Sequence, residues 1–302
     1  MTDYKSFDVV IIGGSYAGLS SAMALGRALR NTLIIDSGLP CNWQAAQAHN
    51  FLVQDGERPS TIAEKAKTQV LKYDTVNFHK GRAVEGEKTG NGFVITTDTN
   101  EEFETKRLVF ATGIKDILPN IKGFSECWGI SLIHCPYCHG YEVRNRQTGL
   151  LANGDFALHA ARLIQNWTKE LIVFTNGKST LTKEQADKIS KHNIPIIEKE
   201  IAYFKHENGN IQQIVFKDYS TFDIEVIYSR PDFEQHCNLP EMLGCELTEQ
   251  GLLKVDILQK TTVANIFACG DNASPMRSIA NAVAAGNFTG AVVNNEIIEE
   301  EF

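Results

Sequence analysis

The chain has 302 residues, 43% of them hydrophobic and 22% charged, with a formal net charge of −8. Those proportions suit a globular protein with enough apolar area to fold without staples, and roughly 150 residues per domain makes two domains the expectation. An acidic chain without a basic stripe argues against a nucleic-acid partner, and the lack of any apolar run near the roughly 18 residues of a bilayer span argues against a membrane one.

The N-terminus runs from MTDYKS straight into FDVVIIGG without a charged, apolar and small-residue cleavage pattern, so a cytoplasmic protein is expected. Residues 7–12, FDVVII, are a continuous and largely β-branched apolar run ending in Gly13-Gly14, and SYAGLSSAMALGRALR behind them has helical spacing. TLIID, from Thr32 to Asp36, then closes a βαβ unit. A polar loop and a helix near residues 60–72 follow. GFVITTD and EEFETKRLVFATG read as an inserted hairpin and a return strand around a polar turn at Asp98 to Glu101. The pattern then restarts, with TGLLANGDFALHAARLIQNW as strand, turn and helix and ELIVFTNG as the next strand. IAYFKHENGNIQQIVFKDYSTFDIEVIYS alternates like a meander with a hairpin turn at Asn208-Gly209. ANIFACGD is a short strand, and SIANAVAAGNFTGAVVNNEII a long alanine-rich helix.

Gly13, Gly14, Ser15, Tyr16, Ala17 and Gly18 form the turn of the first βαβ unit, and Asp36 ends its second strand. In a dinucleotide site the first glycine permits the tight turn, the helix N-terminal amides meet the pyrophosphate, and the acid accepts hydrogen bonds from a ribose. Ser15 stands where a second glycine is usual, and is small enough for close backbone approach. In FACGD, Gly270-Asp271 would set a carboxylate on a polyol ahead of the helix that begins near Ser278. With Ala111, Thr112 and Gly113, these motifs make a three-part flavin constellation.

Seven cysteines in a chain of this length do not suggest a secreted disulfide framework. One close pair stands out: Cys135-Pro136-Tyr137-Cys138, flanked by His134 and His139. At the opening of a helix such a pair would have its thiol pKa lowered toward neutrality, and one sulfur could attack a disulfide while the other resolves it. A zinc site is the competing chemistry, but it would need a second pair of ligands, for which only His236-Cys237 offers itself. No metal is expected. Cys127, Cys237, Cys245 and Cys269 sit beside apolar residues and read as core, whereas Cys41 lies in the loop after the ribose strand.

Taken in order, IIGGSYAG, LIID, FATG, CPYC and FACGD resemble the low-molecular-weight thioredoxin reductases across nearly the whole chain. HCPYCHGYE is most similar to the branch with the dithiol oxidases that close disulfides in small natural products such as gliotoxin. The resemblance implies an α/β fold of two Rossmann-like, three-layer ββα domains and a homodimer. It implies a discontinuous FAD domain of residues 1–116 and 240–302, and a central NAD(P)-binding-like domain of residues 117–239 that carries the redox pair and rotates. Ser37, Asn42, Val84, Ser278, Ile279 and Ala280 would join the flavin contacts. His49 and Asn50 would line the flavin or the substrate mouth. Cys138 would face the flavin and Cys135 the substrate. His139 replaces the aspartate of the thioredoxin-reducing branch; an imidazole with pKa near 6.5 can serve as base or acid around neutrality. Glu142 could orient it.

The second βαβ turn departs from a nicotinamide site. Its glycine slots hold Ala152, Gly154 and Ala157, and FTNGKSTLTK supplies Lys178 and Lys183 but no arginine for a 2′-phosphate. Weak or absent NADPH use is expected, with oxygen, ferredoxin or NAD(P)H as the electron partner. The substrate would be a small-molecule dithiol or disulfide, or a thioredoxin-like protein. The alternatives are an NADPH-dependent thioredoxin reductase and a flavin-bearing thiol sensor without turnover.

Overall fold

The computed structural model describes residues 5–302. The reading of Met1 to Tyr4 as free of a targeting segment, and the first four positions of the expected flavin domain, lie outside the described residues.

In chain order, β1 (Lys5–Ile12) is buried along its last four residues, as a central parallel strand must be. It is followed by α1 (Tyr16–Arg27), β2 (Thr32–Asp36) and α2 (Pro59–Val70), whose leading proline loses no helical hydrogen bond at that position. Next come β3 (Val76–Lys80), β4 (Ala83–Thr89), β5 (Gly92–Thr97), β6 (Glu102–Phe110) and β7 (Ile114–Ile117). The middle of the chain holds α3 (Phe124–Cys127), β8 (Leu132–Ile133), α4 (Pro136–His139), β9 (Thr148–Leu151), α5 (Gly154–Ile164), β10 (Leu171–Phe174), α6 (Lys183–Lys191) and β11 (Ile196–Ile197). Then follow β12 (Ile201–Glu207), β13 (Asn210–Phe216), β14 (Thr221–Asp223), β15 (Val226–Ser229) and β16 (Asp232–Gln235). The chain closes with α7 (Leu239–Met242), β17 (Ile266–Ala268) and α8 (Ile279–Glu301).

Two compact units result: one of residues 1–43, 51–115 and 233–302, the other of 44–50 and 116–232. The first is built on a seven-stranded sheet in the order β3-β2-β1-β6-β5-β4, with β17 also on β6. β1, β2, β3, β6 and β17 run parallel, while β4, β5 and β6 form an antiparallel meander. α8 lies against α1 at close range, because a side chain on Gly286 would strike the Ala17 carbonyl oxygen at 2.1 Å and one on Gly290 the Ser21 oxygen at 2.6 Å.

The second unit has three layers. A parallel sheet in the order β11-β10-β9-β15-β8 is packed on one face by α5 and α6, through Ala157, Ala161, Ile164 and Ile189. Its other face packs on the meander β12-β13-β14 and α3 through Phe124, Phe174, Phe204 and Phe216. The expected hairpin turn is present, with Asn208 and Gly209 at φ 48° and 81°, the positive values a tight two-residue turn needs.

Three expectations are revised. Val226–Ser229 does not continue the meander but joins β8 and β9 in the parallel sheet, where all four residues are buried. The second unit ends at residue 232 rather than 239: Cys237 and Leu239 pack into the core of the first unit, and the Gln235 amide donates to the Gly251 and Asn272 carbonyls there. Residues 44–50 fold with the second unit, although both flanking segments belong to the first.

Candidate active site

The dinucleotide cradle is assembled at the C-terminal ends of β1, β6 and β17, three adjacent parallel strands. The turns that follow them touch: a side chain on Gly13 would lie 2.3 Å from the Ala111 carbonyl oxygen, and one on Gly270 would lie 2.9 Å from the Ala17 Cβ. Gly13 also holds φ 108°, which side-chain-bearing residues rarely adopt. Gly14 N–H donates to Asp36 Oδ1 at 2.9 Å, and Gly38 N–H donates to Oδ2 of the same carboxylate at 3.1 Å. Asp36 therefore braces both turns and keeps a lone pair on each oxygen for a ribose diol. Ser15 precedes α1 without capping it, so the amides of Tyr16, Ala17 and Gly18 take no side-chain cap. Backbone donors at the positive end of a 12-residue helix, next to a carboxylate, are the donor set a dinucleotide requires. Gly113, at φ 65°, faces open space. The residues fit FAD.

The remaining flavin candidates are distributed around this cradle. The Asn42 amide donates to Tyr16 Oη at 3.4 Å, and Tyr16 donates to the Pro59 carbonyl at 3.0 Å; burial raises the Tyr16 pKa. Ser37 directly follows β2, and Ala111, Thr112 and Gly113 join β6 to β7. The Asn272 amide, next to Asp271, donates to the Phe110 carbonyl at 2.8 Å and ties the FACGD turn to β6. Asp271 Oδ2 lies 3.9 Å from Arg277 Nε. Ser278 caps α8 by accepting from Asn281 N–H at 3.2 Å, with Ile279 and Ala280 in the first turn. Val84 is the second residue of β4, three positions after Gly81, whose N–H donates to the Asp36 carbonyl at 3.0 Å. His49 and Asn50 fold with the second unit.

In the second unit Cys135 and Cys138 are joined by a disulfide, with their Cα atoms 5.3 Å apart. Cys135 is the N-cap of α4 and Cys138 lies within it; the helix the pair opens, as expected, is a single turn, so its field is that of one turn only. One directed donor adds to it: Cys138 N–H points at Cys135 Sγ from 3.2 Å. Pro136 occupies the first helical position, as expected.

His139, on the same turn, has its pKa lowered by burial first and by His49 second, while Glu142 pulls it back up. His49 Nε2 lies 3.7 Å from Glu142 Oε1. A second imidazole thus stands beside the thiols' candidate base, brought there by the 44–50 segment. No local pattern announces it, since the pairing exists only once that segment folds onto the second unit. Tyr228, on β15 beside β8, is buried with no hydrogen-bond partner for its hydroxyl among the described residues; burial first and Glu142 second raise its pKa. Burial likewise raises the thiol pKa of Cys127 to about 11 and of Cys269 to about 12, so both stay protonated and inert.

The turn of the second βαβ unit is occupied by its own side chain. Asn153 Oδ1 accepts from Gly154 N–H at 2.9 Å, from Thr180 N–H at 2.8 Å and from the Thr180 hydroxyl at 3.1 Å, and the Asn153 amide donates to the Lys178 carbonyl at 3.0 Å. Asp155 adds a carboxylate to the first turn of α5.

Residues 7–286 match the family model of the pyridine nucleotide-disulphide oxidoreductases. The chain is 28% identical to the thioredoxin reductase tcpT of Claviceps purpurea (strain 20.1) over 311 aligned positions, covering 99% of this chain and 97% of that one. A putative thioredoxin reductase TrxB from Bacillus anthracis superposes with a TM-score of 0.93 at 30% identity, covering 98% of this chain and all of its own. An oxidoreductase from Agrobacterium tumefaciens superposes with a TM-score of 0.91 at 34% identity, covering 97% and 99% of the two chains.

Proposed function

The chain belongs to the pyridine nucleotide-disulphide oxidoreductase family, and we propose that it passes two electrons between a substrate dithiol or disulfide and FAD through Cys135 and Cys138, with little or no use of a nicotinamide. The observation that carries the reading is the Cys135–Cys138 disulfide on the turn that also bears His139. The first unit is the flavin domain in this reading: Gly13 to Gly18 hold the pyrophosphate, Asp36 the adenosine ribose and Asp271 the ribityl chain. When bound, FAD supplies the two-electron store that the thiol pair exchanges with.

For a dithiol substrate, His139 takes the proton of the first thiol. The resulting thiolate attacks Cys135 Sγ, the disulfide bond breaks, and Cys138 leaves as a thiolate. The second substrate thiol, once deprotonated, attacks the substrate sulfur of the mixed disulfide and displaces Cys135. Cys138 N–H is already aimed at Cys135 Sγ and stabilises the charge that develops there. The products are a substrate disulfide, the Cys135 and Cys138 thiolates and two protons, the first of them held on His139. Run backward, the same steps reduce a disulfide. Burial favours the neutral form of His139, which is the form that accepts a proton.

Three features support the nicotinamide half of the reading. Asn153 occupies its own turn, Asp155 places negative charge at the start of α5, and no arginine follows β10 before α6. A homodimer acting in the cytoplasm belongs to the same reading. The relatives called thioredoxin reductases favour a second one, in which NADPH is the donor and a thioredoxin the acceptor.

Anaerobic titration of the yellow holoenzyme with NADPH, NADH, reduced ferredoxin and a dithiol in parallel separates them. We expect prompt bleaching by the dithiol and slow or no bleaching by NADPH. Stoichiometric bleaching by micromolar NADPH would establish the second reading. A protein that purifies colourless and refuses FAD would overturn both.

A further inference from the structure

α8 buries one face through Gly286, Gly290, Val293 and Ile297, and its opposite face meets water. A solvated helix face ordinarily carries charges. Here the exposed residues from Ala280 to Ile298 carry none, because the single charged residue of that stretch, Glu296, is paired with Lys260 and Arg107. Phe288 is 44% exposed, Ile298 47%, and Phe302 fully. They fall in line with Ala284, Ala291 and Asn295, all exposed, at alternating steps of four and three residues. That step is the seam of a two-helix coiled coil, and an exposed apolar row of this kind marks a contact surface.

The order of the steps is unchanged on reversal, so a second α8 laid antiparallel about a twofold axis matches the row at every position. Ala284 then meets the partner's Phe302, Phe288 the partner's Ile298, and Ala291 the partner's Asn295. Charge selects the same direction. A parallel pair would set Glu299, Glu300 and Glu301 of both copies side by side. The antiparallel pair lays them level with the uncharged stretch 285–287 of the other copy, toward the positive end of its helix. Asn295, the one polar member of the row, fixes the register. Sliding by one heptad either sets its amide against the partner's Ile298 or carries Phe302 past the start of the partner's helix.

We infer that the outer face of α8 is the contact between two copies of this chain, with the two helices antiparallel. The inference rests on the homodimer proposed above and gives it a surface and a direction.

Sedimentation equilibrium of the holoprotein tests it. We expect the parent chain to be a dimer, and Phe288→Glu with Ile298→Glu in one chain to raise the dissociation constant about 100-fold or more, since two apolar anchors are lost and like charges meet in their place. Both positions already touch water in the single subunit, and retained flavin colour checks that the variant folds. Phe288→Lys with Ile298→Glu sets opposite charges across the same layer and should recover about 10-fold of that loss. Direction is read by oxidative cross-linking in a Cys41→Ser background. Ala284→Cys and Phe302→Cys together should give a cross-linked dimer. Neither should do so alone, because the two copies of either position would lie about 27 Å apart at 1.5 Å per residue. A dimer that survives the paired glutamates, no recovery with opposite charges, or cross-linking through either single cysteine would overturn the inference and leave the homodimer standing. A monomeric parent would overturn both, and its flotation with phosphatidylcholine vesicles would assign the face to a lipid surface instead.

Discussion

His49 Nε2 and Glu142 Oε1 lie 3.7 Å apart, bringing together a loop of the segment 44–50 and the turn after the thiol pair. Both act on His139, with opposite signs: His49 lowers its pKa and Glu142 raises it. Glu142→Gln should therefore move the acidic limb of the pH–rate profile for dithiol oxidation to lower pH, because His139 then stays neutral further into the acid range. His49→Gln should move that limb to higher pH. Profiles that shift the same way in both variants would show that these side chains act on something other than His139.

The close approach of α1 and α8 predicts a steric lesion. Gly286→Ala puts a Cβ where the Ala17 carbonyl oxygen stands, and the helices must separate to admit it. Overpacking of this kind costs about 1–3 kcal/mol. Ala17 is in the first turn of α1, at the flavin cradle, so thermal unfolding should come earlier and FAD should be lost more readily on dilution. Calorimetry and flavin fluorescence check the two effects separately.

Asp36 ties the cradle together through Gly14 and Gly38. In Asp36→Asn one of the two carboxylate acceptors becomes a donor facing a backbone N–H, and the charge is lost. Hydrogen bonds to charged groups contribute about 1.5–3 kcal/mol each, so FAD affinity should fall roughly 10- to 100-fold. Titration of the apoprotein with FAD measures it; unchanged affinity would show that the carboxylate does not meet the cofactor.

Asn153→Ala removes an N-cap and the tie to Lys178 and Thr180. Loss of such a cap costs about 1 kcal/mol, equivalent to a fall of about 2–4 °C in Tm. Freeing the turn should not create a nicotinamide enzyme, because the loop still lacks an arginine fork for a 2′-phosphate. Flavin bleaching by NADPH should stay slow in the variant; a large acceleration would show that Asn153 alone closes the site.

Much of the molecule is readable in the one-dimensional pattern. The run FDVVII, the glycines at 13, 14 and 18 and the acid at 36 are local features, and local backbone rules are enough to turn them into β1, α1 and β2. Asn208-Gly209 likewise announces its own turn. Val226–Ser229 was harder, because an apolar run of four suits the edge of a meander and the middle of a parallel sheet equally well. Only the availability of β8 and β9 as neighbours selects the sheet.

By itself the sequence determined the α/β class, the two βαβ units and the close CPYC cysteine pair, because each depends on residue types at short, regular spacing. The tertiary structure alone decided that His49 stands beside Glu142 and His139, that α4 is a single turn, and that Asn153 bonds across the second βαβ turn. The physical reason is separation along the chain. Contacts between distant segments form only when burial of apolar surface brings those segments together, and no residue carries a local mark of the partner that the packing will give it.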